Sequence, residues 1–285
     1  MKKKSGPELA GVIHLPALAG APGARGLSAS EALSIAGARA VQEAKLLTQA
    51  GFDSIILENF GDTPFYKTAV PPETIASMAV IAAAVREVSG LPLGINVLRN
   101  DARAALAIAA VAGAQFIRVN VLSGVAATDQ GLIEGDAALL VRERERLAPG
   151  VRILADVLVK HARTLSGEDL ALAIEEVALR AGADGVIVTG ATTGRAASTE
   201  TLRQAAHVCR EIKRPLWIGS GMTPASFAEL QGVPFHGVIV GSALRAGGRA
   251  GAPLDAKRIK AFVAAARTRR SVAKPAPRPQ AKKRR

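Results

Sequence analysis

The stretch AGADGVIVTG, residues 181–190, ends one element and begins another within ten residues. Gly182 sits where a helix needs a left-handed residue to stop. Val186, Ile187 and Val188 then form a β-branched run of the kind that fills a buried strand. Thr189 and Gly190 open a polar loop. The same layout recurs as AGFDSII (50–56), as AGAQFIRV (112–119) and, more loosely, as GVPFHGVIV (232–240). These copies stand before the second, fourth, sixth and eighth of eight aliphatic runs, at 11–15, 54–58, 93–97, 116–121, 152–159, 185–189, 215–219 and 237–240. Any helix-to-strand turn can carry a glycine; the regular placement is what suggests a quarter-barrel repeat. Ala-rich stretches with helical spacing lie between the runs, as at 30–49 and 168–180. Strands alternating with helices imply parallel pairing through right-handed crossovers. Eight such units in 285 residues predict a closed (β/α)8 TIM barrel.

Loop lengths orient it. Turns from helix to strand are tight (AGFD, SGLP, AGAD). Turns from strand to helix are long and polar, as in HLPALAGAPGARGLSAS (14–30), ENFGDTPFYKTAVPPET (58–74) and NVLSGVAATDQGLIEGD (120–136). The long loops leave the C-terminal ends of the strands, the end where such barrels carry their chemistry.

Polar residues collect at those strand ends: His14, Glu58, Asn59, Asn96, Arg118, Asn120, Asp156, Lys160, His161 and Thr189. Buried parallel strands are apolar on both faces, so a recurrent polar position needs a reason. Period-two alternation places Arg118 with Asn120, Glu58 with Ile56, and Asp156 with Leu154 and Leu158, all expected toward the barrel axis. A structural hydrogen bond or internal ion pair would explain any one of them. The set reads better as a site. Asp156 or Glu58 is expected as general acid or base, with Lys160 neutralising developing charge. His14, Asn59, Asn96, Arg118, Asn120, His161 and Thr189 are expected to bind substrate. A divalent metal could use Glu58 and Asp156, but two carboxylates without a third clear ligand assign none.

The seventh and eighth strands end differently, in WIGSGMTPAS (217–226) and VIVGSALRAGG (238–248): Gly-Ser, then a small residue and a helical start. Backbone N–H groups at Gly219, Ser220 and Gly221, with Gly241 and Ser242 opposite, predict a phosphate cradle. Two tight turns without a ligand would look similar; matched turns on adjacent strands, where barrels commonly hold phosphate, favour the cradle.

Aromatics are only 3 % of the chain, which argues against a base-stacking platform. No apolar run is long enough to span a bilayer, and the one cysteine, Cys209, fits a cytoplasmic chain. With His207, Cys209 falls mid-helix and is expected to pack there. The net charge of +13 is unevenly placed. Residues 267–285 hold nine of the 37 Lys and Arg, three prolines and no acid; without them 28 basic residues face 24 acidic ones. One barrel domain over 1–266 and a disordered basic tail over 267–285 are expected. The tail reads as a solubilising extension, or as a contact for an anionic membrane or nucleic acid. Peripheral membrane attachment and homo-oligomerisation are further expectations.

GVIHLPALAGAPG (11–23), AGFDSIILENFGDTPF (50–65), LPLGINVLRND (91–101), FIRVNVLSGVAATDQGLIEG (116–135), ADVLVKHA (155–162) and IGSGMTP (218–224) together resemble the BtpA family, known for photosystem I biogenesis and including SgcQ-like proteins. The resemblance covers about residues 9–265, in order. It implies a barrel of the phosphate-binding, ribulose-phosphate-binding-like kind. Two functions follow as expectations. One is an enzyme acting on a small phosphorylated sugar or nucleoside-like metabolite, by isomerase, lyase or glycosyl hydrolase chemistry. The other is a non-catalytic assembly factor for a membrane complex that kept the scaffold.

Overall fold

The computed structural model describes residues 6–157, 162–164, 169–190 and 197–269. In chain order the elements are β1 (Glu8–His14), α1 (Ala29–Ala50), β2 (Ser54–Glu58), α2 (Pro72–Ser89), β3 (Leu93–Asn96), α3 (Ala102–Ala112), β4 (Phe116–Val119), β5 (Val125–Thr128), β6 (Gly131–Glu134), α4 (Ala137–Leu147), β7 (Arg152–Val157), β8 (Ala162–Thr164), α5 (Leu170–Glu175), β9 (Gly185–Val188), α6 (Thr199–Glu211), β10 (Leu216–Ile218), α7 (Ser226–Glu229), β11 (Gly237–Val240) and α8 (Ala256–Thr268). Eight of the strands close a parallel barrel in the order β1-β11-β10-β9-β7-β4-β3-β2. It is a (β/α)8 TIM barrel.

Local sequence explains the joints. Ser28 and Glu31 cap α1 reciprocally, each side chain taking the other's backbone N–H. Gly51 and Gly113, in two of the repeat copies, adopt left-handed conformations that close α1 and α3. On its inner side α1 buries Ala32, Ala36, Ala40, Ala44 and Leu47. These small residues let the helix lie close on the sheet.

Two apolar layers follow from the period of two. Leu9, Ile13, Ile55, Leu57, Ile95, Ile117, Val119, Ile153, Ala155, Val186 and Val188 pack outward under the helices. Ala10, Val12, Ile56, Phe116, Leu154, Ile187, Trp217 and Ile239 form a separate cluster inside the barrel. Glycines make that interior fit. A Cβ on Gly94 would lie 2.2 Å from the Phe116 ring, and one on Gly237 would lie 2.5 Å from Trp217.

Three findings differ from the sequence reading. The segment 120–136, read as loop, contains the hairpin β5–β6, which pairs with β8 in a small antiparallel sheet. Helix α8 runs two residues past the boundary expected at 266. Arg267 bonds Pro7 O, Gly51 O and Asp53, and buried Arg269 bonds Leu230 O and Val233 O while lying over the Phe235 ring. These residues belong to the barrel; residues 270–285 lie outside the described residues. Third, Cys209 packs as expected, and burial pushes its thiol up to about 12, but His207 is exposed.

Overfilling the interior gives a direct test. Gly94→Ala should cost about 1–3 kcal/mol, because the Phe116 ring has no free volume to move into. Urea unfolding would show a lower midpoint at unchanged slope. An unchanged midpoint would refute this packing.

Candidate functional site

A cavity of about 280 Å³ opens at the C-terminal end of the barrel. Its inner wall is His14, Glu58 and Arg118; its outer wall is the backbone of 219–224 and 241–243, with Phe60, Gly248 and Arg258 at the rim. The strand register explains the inner wall. His14 pairs with Glu58, and Glu58 with Asn96, so three inward positions fall on one level.

The charges within the barrel satisfy one another. Arg118 Nε and Nη2 each donate to Asp156 at 2.9 Å, and Asn120 Nδ2 adds a third bond to Asp156 at 3.0 Å. All three residues are buried. Burial alone would lower the Arg118 guanidinium, but the charge and hydrogen bonds of Asp156, aided by Glu58, hold it above its ordinary value. Asn96 Nδ2 donates to Glu58 Oε2 at 2.7 Å. Glu58 Oε1 lies 3.8 Å from His14 Nε2. Gly251 N–H donates to His14 Nδ1 at 3.1 Å, and Phe60 stacks on the imidazole at 4.4 Å.

The turns after β10 and β11 meet across the cavity. Gly221 has φ 74°, a conformation that favours glycine. A Cβ on Gly241 would stand 2.9 Å from His14 Nε2. The turn 242–244 is a short 3-10 helix, whose first N–H groups find no partner within it. Ser220 Oγ accepts from Gly190 N at 3.2 Å, tying the loop after β9 to the loop after β10.

A family model described as the BtpA family matches residues 5–268. The chain belongs to the BtpA family. It is 46 % identical over 227 residues to the photosystem I biogenesis protein BtpA of a Synechocystis strain, covering 80 % of this chain and 78 % of that one. An uncharacterized protein of Pyrococcus abyssi is 46 % identical over 241 residues, covering 85 % and 88 %. One from Caenorhabditis elegans is 36 % identical over 270, covering 91 % and 92 %. Among solved structures, thiamine phosphate pyrophosphorylase of Pyrococcus furiosus superposes with TM-score 0.56 at 13 % identity, over 92 % of this chain and 96 % of that one. N-(5'-phosphoribosyl)anthranilate isomerase of the same organism gives 0.55 at 13 %, over 92 % and 99 %. At that identity the likeness carries the fold alone.

Within this BtpA-family barrel, His14, Glu58, Arg118, Gly219, Ser220, Gly221, Gly241 and Ser242, of the residues singled out in the sequence, line the cavity. The Gly219 N–H, expected in the phosphate cradle, is a correction: it donates to Val188 O at 2.9 Å, between neighbouring strands. Asn96, Asn120, Asp156 and Thr189 lie outside that lining, all buried. Among the described residues, Thr189 Oγ1 and Asn120 Oδ1 have no hydrogen-bond partner. Lys160 and His161 fall outside the described residues. Asn59 is a correction. It sits one residue past β2, and its amide is used within the scaffold: Oδ1 accepts from Leu98 N at 2.7 Å, and Nδ2 donates to Asp62 and to Leu98 O. Asp156 also differs from the expected proton carrier, since Arg118 and Asn120 occupy both its oxygens.

The sequence reading missed two cations. Arg258, on α8, reaches the rim from far along the chain. Arg99, three residues past β3, is buried; burial lowers its guanidinium while Asp129, Asp156 and Glu58 pull it back up. Arg99 lies in a loop and Arg258 on the exposed first turn of a helix, and neither position carries a periodic signal. Among the described residues no group of three or more His, Cys, Asp or Glu is arranged to hold a metal ion, and no helix is long and apolar enough to cross a membrane.

The clamp beside the site titrates. Burial pushes the Asp62 carboxyl up, against the Leu18 N–H at 2.8 Å and the Asn59 amide. The folded chain therefore keeps this proton to a higher pH than the unfolded chain. The stability it confers is complete below about 3.8 and is lost as pH rises through the raised value. Asp62→Asn removes that loss. In paired urea titrations the variant should gain on the wild type as pH climbs through this window; a flat difference would show that Asp62 does not titrate on folding.

Proposed function

We propose that the cavity binds a small phosphorylated sugar or nucleoside-like metabolite and acts on it by acid–base chemistry. One observation carries this reading: two glycine turns, 219–221 and 241–242, line the same cavity that Glu58 and His14 face, although the Gly219 N–H itself is spent on Val188 O. The phosphate lies against Gly219–Gly221 and Gly241–Ser242, with the exposed Arg258 guanidinium at the rim. Arg118, held by Asp156, whose carboxylate Asn120 also bonds, binds a substrate oxygen. Glu58 carries the proton. Asp156 holds the arginine through two hydrogen bonds, one on each oxygen.

Thermal-shift screening with phosphosugars and nucleotides tests this. A ligand at a hundred times its Kd stabilises the fold by roughly 2.7 kcal/mol, a rise of several degrees. Gly221→Asp should abolish the shift, and Arg258→Ala should reduce it. If no phosphorylated metabolite raises the melting temperature and both variants melt as the wild type does with every ligand, the reading fails.

A second reading is a role in the biogenesis of a membrane-associated complex. Its support is a biogenesis protein that shares 46 % identity with this chain, whereas the enzymes share only its fold. The comparisons thus lend more to this role than to catalysis. Attachment would run through the basic residues after Arg269, to anionic lipid or, less in keeping with that relative, to nucleic acid. Removing 270–285 keeps the Arg267 and Arg269 anchors. Salt-sensitive membrane association lost on that truncation is the expected result, and membrane recovery unaffected by the tail would exclude attachment through it.

A further inference from the structure

His14 and Glu58 face the cavity from adjacent strands, paired in register. The surroundings of each fix what it can do. His14 Nδ1 accepts the Gly251 N–H at 3.1 Å. A ring nitrogen that accepts carries no proton, so the neutral ring holds its proton on Nε2. The stacked Phe60 ring sets the plane of the imidazole. Glu58 has its Oε2 held by Asn96 at 2.7 Å, which leaves Oε1 on the side of His14 Nε2, 3.8 Å away. The cavity thus presents a neutral N–H donor beside a carboxylate base.

The Gly251 amide is itself held in place. Arg39 Nη2 donates to Gly251 O at 2.5 Å, and Arg39 Nε to Glu43 at 3.2 Å. Fully buried Arg245 grips both oxygens of Glu43 at 2.9 and 3.0 Å, and also bonds Val12 O and Ala252 O. A buried ion pair of this geometry gives little net stability but fixes position. Arg39, Glu43 and Arg245 are positioning residues for the His14 tautomer.

We propose that the cavity enolises a short phosphorylated α-hydroxy aldehyde or ketone. This rests on the phosphate-binding reading above and adds the reaction and the substrate class. The Glu58 carboxylate takes the proton from the hydroxyl-bearing carbon. The C–H pair forms the C=C bond, and the carbonyl pair moves onto oxygen. That oxygen takes the Nε2 proton of His14 as the neighbouring hydroxyl returns one to Nε2. Glu58 then delivers its proton to the former carbonyl carbon, moving the carbonyl by one position. Atoms and electrons balance with no co-reactant. A carboxylate base beside a neutral imidazole donor suits this step, because the negative charge passes from Glu58 to substrate oxygens that the imidazole N–H can serve. The cavity's size, about 280 Å³, suits a short chain.

The experiment incubates the full chain in D2O with glyceraldehyde phosphate, dihydroxyacetone phosphate, ribose phosphate and ribulose phosphate. Thermal shifts are recorded in parallel. Loss of the proton NMR signal of the carbon beside the carbonyl is expected for at least one of them. Glu58→Gln and His14→Gln should each slow that loss by about 100-fold or more while the thermal shift persists. Stabilisation without exchange overturns the enolisation and leaves phosphate binding intact; no stabilisation by any of them overturns both. Should either variant fail to fold, ¹⁵N shifts of wild-type His14 decide the geometry. A protonated Nε2 and a bare Nδ1 are expected, and the reverse overturns the proposal. Arg39→Met should mix the two tautomers; an unchanged pattern removes Arg39 from the positioning set.

Discussion

Arg118 and Asp156 form a two-pronged ion pair inside the barrel, and the arrangement around it follows from the cost of burying charge. An isolated charge in that interior would cost several kcal/mol or would neutralise. Two parallel N–H···O bonds at 2.9 Å offset that cost, and Asn120 covers a remaining lone pair. The pair spans β4 and β7, which are neighbours in the barrel. Removing Asp156 would strand a guanidinium that already feels the full weight of burial. The pair therefore marks the floor of the site. Beneath it Phe116, Leu154, Ile187 and Trp217 close the barrel without polar side chains other than the Trp217 indole N–H.

The four buried carboxylates near this end divide the work by their partners. Asp156 is saturated by Arg118 and Asn120. Glu43 is saturated by Arg39 and Arg245, and its role is to hold the loop that touches His14. Asp62, whose carboxyl burial pushes above its ordinary value, bonds Leu18 and Asn59, and Asn59 bonds Leu98, so the loops after β1, β2 and β3 are tied to one another. Glu58 alone keeps an oxygen toward the cavity. The proposed acid–base role therefore rests on Glu58, the carboxylate whose acceptors are not already committed.

Much of this was legible because a strand's period is two. Arg118 and Asn120 opposite Ile117 and Val119, or Glu58 beneath Ile56, can be assigned to the axis without coordinates. Legibility stopped where periodicity stops. Asn59 is one residue beyond β2, where alternation no longer predicts direction, and it turned into the scaffold. The hairpin β5–β6 carries VAAT and GLIE, too short and too mixed to alternate, and its Asp129–Gln130 turn lacks the usual glycine pair. Arg258 and Gly251 reach the site from after the last strand, through folding of the chain ends rather than through any local pattern.

The chain ends also settle how the two proposed roles can coexist. Arg267 bonds groups that precede β1 and β2, and Arg269 bonds groups that precede β11. Both anchors lie at the N-terminal ends of the strands, the end away from the cavity. The basic residues after Arg269 therefore start from the face opposite the one that holds Glu58 and the glycine turns. An attachment made at that face would leave the cavity mouth open, so the two proposed roles need not compete for one surface. The barrel length separates them, and the strands and the helices packed on them join the two ends, so a ligand at one end would alter attachment at the other only by changing the equilibrium of that shared core.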